Sequence, residues 1–183
     1  MTVDWDVADE AMRDRSLVRI VHGDEPFDGR VTALSDELVA IALLDPGIRY
    51  DGVVVLRTSC VQTLVKPHPQ HEFYELVLAV RKQVERGYGS GFDMGTMSEL
   101  LTWCQRHLEL VTIHLTTAEP GVCHIGRIVS VSEESVTLCE VGVDAHWSDE
   151  DCSFFVDEIQ RVDFGGAYEE ALMIGAKLQS ADG

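Results

Sequence analysis

The chain has 183 residues, 45% of them hydrophobic and 25% charged, with 32 acidic residues against 14 basic ones for a formal charge of -18. That apolar fraction is ordinary for a globular protein, so the charge belongs to a folded surface, and so large an anionic excess repels phosphate backbones and disfavours nucleic acid as a partner. No apolar run approaches the roughly 20 residues of a membrane helix, the start Met-Thr-Val-Asp-Trp-Asp lacks the basic character of a leader, and five cysteines without paired spacing fit reduced thiols; the expectation is a cytoplasmic protein without membrane contact.

In chain order, a short helix is predicted over Asp6 to Arg15, with Trp5, Val7, Ala11 and Met12 available for burial. Five strands follow, Leu17 to His22, Gly29 to Leu34, Leu38 to Leu44, Gly52 to Arg57 and Val61 to Val65, read from β-branched content and alternation. Turn chemistry separates them at Gly23 to Pro26, Ser35 to Glu37 and Asp45-Pro46-Gly47. Glu72 to Arg86 repeats apolar residues at Phe73, Leu76, Val77, Val80 and Val84, the stripe of an amphipathic helix. The Gly-rich stretch of residues 87–95 reads as a joint. Beyond it, Thr96 to Leu108 has helical period through Met97, Leu100, Leu101, Cys104 and Leu108, with Ser98 as its cap. Five more strands are predicted at Val111 to Thr116, Cys123 to Val131, Ser135 to Val141, Cys152 to Val156 and Ile159 to Phe164. The acidic break Ser148-Asp149-Glu150-Asp151 divides the third from the fourth, and a last helix, Ala167 to Leu178, follows Gly165-Gly166.

The order of elements repeats. Asp28-Gly29-Arg30-Val31-Thr32-Ala33-Leu34-Ser35-Asp36-Glu37 lies over Ile125-Gly126-Arg127-Ile128-Val129-Ser130-Val131-Ser132-Glu133-Glu134, both reading Gly-Arg, an apolar alternation, Ser and two acids. Short apolar alternations flank each block, and Tyr74-Glu75 stands opposite Tyr168-Glu169. The reading is a duplicated unit: residues 1–86 as a first helix-plus-small-barrel repeat with a trailing helix, residues 87–95 as the joint, residues 96–183 as the second repeat. Asp157-Glu158-Ile159-Gln160-Arg161-Val162-Asp163-Phe164 with Tyr168 and Leu172 is similar to the closing strand and helix of uncharacterised bacterial tandem small-barrel proteins of Sm-like or SH3-like plan. That resemblance implies a mainly β fold with flanking helices, two tandem five-stranded barrels, and no particular activity.

The Gly-rich joint leaves a helix and no Gly-Lys-Ser or Gly-Lys-Thr follows, so it is no phosphate loop. Cys123, His124, Cys139, His146 and Cys152, with Asp149 and Asp151, are zinc-type ligand chemistries without a close ligand pair. Cys104 and His107, like His68 and His71, read as core or boundary residues, and no Gly-x-Ser-x-Gly nucleophile elbow exists. No catalytic, cofactor or metal residue is therefore assigned. The repeated Gly29-Arg30 and Gly126-Arg127 read as bends with an outward Arg paired to nearby acids, or as equivalent partner sites.

The functional expectation is a non-enzymatic binding or scaffold protein, acting through protein contacts or self-association, with a dimer across helix or edge-strand faces, motivated by the Glu72 to Arg86 stripe, as one form of it. Arg30, Arg127, Asp149, Glu150 and Asp151 are the candidate partner contacts. Residues 1–90 hold 10 basic and 15 acidic residues, net -5, and residues 91–183 hold 4 and 17, net -13, so a basic protein partner would be met by the second half. The alternatives are an Sm-like RNA-binding protein and a metal-dependent enzyme.

Overall fold

The computed structural model describes residues 3–85, 94–116 and 122–181. The chain is mainly β with four α-helices among the described residues, and it divides into two compact units, Met1–Gly91 and Phe92–Gly183. Apart from Met94 and Gly95, the predicted joint lies outside the described residues. No described helix is long and apolar enough to cross a membrane.

Unit 1 runs α1 (Trp5–Asp14), β1 (Leu17–His22), β2 (Glu25–Leu34), β3 (Leu38–Leu44), β4 (Tyr50–Arg57), β5 (Val61–Val65) and α2 (His71–Val80). Its strands pair antiparallel in the order β5-β1-β2-β3-β4. Unit 2 runs α3 (Met97–His107), β6 (Val111–Leu115), β7 (His124–Val131), β8 (Ser135–Val141), β9 (Trp147–Phe155), β10 (Ile159–Phe164) and α4 (Ala167–Ala181), its strands in the order β10-β6-β7-β8-β9. The expected closed barrels are not seen. A single 3-10 turn, Thr58–Cys60 in unit 1 and Val156–Glu158 in unit 2, carries the chain from the fourth strand to the fifth. It swings the fifth strand onto the first, leaving the fourth and fifth at opposite ends of an open sheet.

In unit 1 the core gathers Ala8 and Ala11 of α1 with Val18, Ile20, Val31, Val39, Ile41, Val54 and Leu56. Asp4 caps α1 by accepting from the Asp6 N–H at 3.1 Å, and Arg15 ends it in the left-handed region. In unit 2, α3 buries Met97, Leu100, Leu101 and Cys104. Thr96, not Ser98, caps α3: Thr96 and Glu99 form a reciprocal capping box, while the Ser98 hydroxyl donates to the Glu133 carbonyl at 3.2 Å.

Three predicted boundaries move for identifiable reasons. β2 begins at Glu25 because the hairpin needs only Gly23 and Asp24, with Gly23 at φ 61°, to turn between His22 and Glu25. α2 stops at Val80, not Arg86. Lys82 takes φ 51° while the Lys82 and Gln83 N–H groups return to the Ala79 and Leu78 carbonyls, a Schellman end without glycine. β9 begins at Trp147 and includes the acidic run, which sits in a bulge on a strand at the end of its unit's sheet order, where both faces tolerate charge.

Both units use one register. Gly29 faces Leu43 and Gly126 faces Glu140 at the same step of the same hairpin, and each ladder slips shortly afterwards, at Val31/Ala33 and at Ile128/Ser130. A Cβ on Gly29 would fall inside the Ala42 carbonyl, and one on Gly126 inside the Cys139 carbonyl, so neither strand could approach its neighbour with a larger residue. The turn before the fourth strand also recurs, with Ile48 at φ 57° and Ala145 at φ 61°. The spacing from there to the paired fourth strand is one residue longer in unit 2, and the longer stretch contains Asp149 and Glu150.

Candidate functional site

The polar site of unit 1 forms where β2, β4 and the first turns of α2 meet. Arg30 leaves β2 directly after the tight Gly29 contact and lies largely buried, its side chain 15% exposed. Its Nη2 donates to both Glu75 carboxylate oxygens at 2.7 and 2.8 Å, and its Nε donates to the Tyr50 hydroxyl at 2.7 Å. Burial works against the guanidinium charge, yet Tyr50 and Glu75 outweigh it and Arg30 is held above its ordinary value. Burial also raises the Tyr50 phenol, against the pull of Arg30, so Tyr50 keeps its proton while accepting from Arg30. His71, at the start of α2, places Nδ1 4.0 Å from Glu75.

These groups open on a cleft of about 590 Å3 that also reaches Asp14, Arg15, Gln83 and Glu85. The charges there already have partners: Arg15 pairs with Glu85, and Lys66 donates to Asp14 at 2.6 Å, a hydrogen bond that holds the Asp14 carboxyl down to about 2. The cleft thus presents paired charges, and what the cluster visibly does is hold α2 to the sheet. Beneath it, Leu78 buries against Leu17, Leu44 and Ile48.

Arg127, at the equivalent register position of unit 2, does something different. It is exposed, and its guanidinium lies 5.3 Å from the centre of the Trp147 ring. The aromatic partner decides this. Tyr50 pairs with Leu44 where Trp147 pairs with Val141, so the two occupy one position; a phenol oxygen accepts a hydrogen bond, whereas an indole offers its face and a donor N–H. Glu169, on α4, instead accepts from the Thr112 hydroxyl at 2.7 Å. α4 is held by apolar contact: Leu172 and Ala176 bury with Leu110, Val141 and Ala145, and Gly175 passes too close to Ala145 to admit a Cβ.

Each trailing helix leaves its outer face uncovered. On α2, Phe73, Leu76 and Val80 are 55%, 63% and 75% exposed, at the i, i+3, i+7 spacing of one helical stripe. On α4, Ile174 and Leu178 are each 64% exposed. Val80 and Ile174 both stand two residues after the leucine that anchors the helix, Leu78 or Leu172. The sequence stripe marked Phe73, Leu76 and Val80 together with Val77, but it could not distinguish the face that packs from the face that does not.

The remaining candidates separate. Asp149, Glu150 and Asp151 are exposed on β9, where the Ser148 hydroxyl ties back to the Glu150 backbone at 2.9 Å. Cys152 meets the Glu140 carboxylate, which raises its thiol, and Glu140 also accepts from His124 Nδ1 at 2.7 Å. That order places an acid between thiol and imidazole, the reverse of what activates a nucleophile. Burial pushes the Cys104 thiol far up, and His107 Nδ1 donates to the Trp103 carbonyl at 2.8 Å. Among the described residues, no three of His, Cys, Asp and Glu converge as a ligand set for a metal ion.

His68, read from the sequence as a core or boundary residue, lies in the core with a fully buried side chain, but its partners were not foreseen. Nδ1 accepts from the Gln70 N–H at 3.0 Å, Nε2 stands 3.1 Å from Asp28, and the ring packs 4.4 Å from Tyr74. Asp28 is itself gripped by Arg19 at 2.6 and 2.7 Å. The local sequence around Pro67 and Pro69 does not name these partners, which come from β1 and β2. Comparison of the chain with protein-family models, with curated proteins and with solved structures gives no match.

Proposed function

We propose that this protein is a non-enzymatic binding or scaffold protein made of two copies of one Sm-like or SH3-like unit, working through protein–protein contacts on the outer faces of its trailing helices. The observation that carries this reading is the pair of uncovered apolar stripes: Phe73, Leu76 and Val80 on α2, Ile174 and Leu178 on α4. Large exposed side chains grouped on a helix mark interaction surfaces more often than isolated ones do. The shared register of the two Gly-Arg hairpins supports descent from one unit, and the single open 3-10-linked sheet in each supports the small-barrel plan without its closure. Catalysis has no comparable support, since the Arg30 cleft presents paired charges and Cys152 faces a carboxylate.

Affinity capture with the intact chain, against a chain carrying Leu76→Glu and Ile174→Glu, tests this directly. The expected result is a protein bound stoichiometrically by the intact chain and lost from the double variant while the variant's circular dichroism is unchanged. Identical capture by both, or retention of single-stranded RNA at low salt, overturns it.

A further inference from the structure

β9 ends the strand order of unit 2, and β8 is its one ladder partner among the described residues. The Val156 N–H donates to the Glu134 carbonyl at 2.9 Å, which fixes the phase of that ladder. Hydrogen-bonded and non-hydrogen-bonded pairs alternate along antiparallel strands, so Val136–Phe154 and Leu138–Cys152 bond across the ladder while Thr137–Ser153 and Cys139–Asp151 do not. The N–H and C=O groups of Asp151 and Ser153 therefore point away from β8, along the outer edge of the sheet. Both residues are exposed, and Phe155, two residues further on and 62% exposed, lies on the same face. The bulge before them is closed by the Ser148 hydroxyl, which accepts from the Glu150 N–H and donates to the Glu150 carbonyl.

Unit 1 treats the same positions differently. Asp151 stands where unit 1 has Val53 and Ser153 where it has Val55, and both valines are buried. The repeated frame thus accepts apolar residues there, and unit 2 carries an acid and a hydroxyl instead. The surroundings have one sign: residues 133–158 hold nine acidic residues and no Lys or Arg. A second β9 laid on this edge would set acid against acid, so the charge bars a copy of the same strand and selects a basic one. From the outward backbone groups and the charge around them we infer that β9 takes up a basic extended segment of another protein as an added strand. Asp151 and Ser153 supply the main-chain bonds, and the Lys or Arg side chains of the segment lie among Asp149, Glu150 and Asp151. This edge is a different surface from the helix faces above and stands independently of them.

Calorimetric titration of the full chain with a short peptide alternating lysine and valine is the test. The expected result is saturable binding that weakens as salt is added and is absent when glutamate replaces the lysines. A strand turns successive N–H groups to opposite edges, so peptides N-methylated at every lysine or at every valine should differ, one losing binding and the other keeping it. Asp151→Lys should weaken binding about tenfold, while Leu76→Glu with Ile174→Glu should leave it unchanged. Asp151 is exposed, so unchanged circular dichroism in D151K separates lost contact from lost fold. Absence of binding, like behaviour of the two methylated peptides, or undiminished affinity in D151K each overturns the inference and leaves the helix-face reading standing. Loss of peptide binding in the double helix variant overturns it too, because it would move the site to the helices.

Discussion

The two units place an arginine at the same step of the same hairpin and then use it in opposite ways. In unit 1 Arg30 is buried and clamps α2 through Glu75, because Tyr50 offers an oxygen beside it. In unit 2 Arg127 stays in solvent over Trp147, and α4 is held by Leu172, Ala176 and the close approach of Gly175. One change of aromatic residue thus accompanies a change from a polar fastening to an apolar one. The lesson is that repeated residues mark a repeated frame, whereas the role of a side chain on that frame follows from the neighbour it meets.

The frame itself should be the most sensitive point, and equally so in both units. Gly29→Val and Gly126→Val each force a side chain into a facing carbonyl, and each should cost about 3 kcal/mol of unfolding free energy in chemical denaturation. A large cost at one glycine and none at the other would break the equivalence of the hairpins.

Next in size is the contrast between the arginines. Arg30→Ala leaves Glu75 and Tyr50 without their cation; because Glu75 remains about a third exposed, the cost should be about 2 kcal/mol and not the full penalty of a buried pair. Arg127→Ala removes only an exposed cation–π contact and should cost about 0.5 kcal/mol. Equal losses for the two would show that the fastenings are less different than their geometry.

The smallest effect belongs to unit 1 alone. Burial lowers the His68 imidazole below its ordinary 6.5, against the pull of Asp28, so the unfolded chain takes up a proton there before the folded chain does. Stability should be flat in this respect above about pH 7 and fall as pH drops below about 6.5, by no more than about 1.4 kcal/mol per pH unit. His68→Gln should flatten that limb of the melting-temperature profile. An unchanged profile would mean that His68 titrates alike in both states. Asp14, held down to about 2 by Lys66, has a pH dependence of the same sign at lower pH: its contribution is present above its ordinary 3.8 and is lost as pH falls from there toward about 2.

Much of the fold was legible along the chain. β3, β5, β8 and β10 begin and end where alternation places them, because strands bounded by Ser, Asp or Gly turns are specified locally. The end of α2 was not legible: no Gly or Pro marks it, and Arg81 and Gln83 are engaged with Gly47 and the Tyr50 N–H, more than thirty residues away. β9 was misread for a related reason. Four polar residues in a row look like a loop until β8 is found beside them, with a bulge to take up the excess. Of the site, Arg30 was visible as a repeated residue, while Glu75, Tyr50 and His68 became its neighbours or the core's only through long-range packing.

By itself the sequence determined the alternation of helices and strands, the repeated Gly-Arg hairpin and the uneven division of charge, since each depends on residues close together or on simple counting. The tertiary structure alone decided that the sheets stay open, that Arg30 is an internal fastener, and that α2 turns Leu78 inward and Leu76 outward. A stripe states that a helix has an apolar side; only the packing of β1, β3 and the turn at Ile48 states how much of it is used. The acidic excess that disfavoured nucleic acid at the outset is carried mostly by unit 2, a division that counting along the chain gives without any structure.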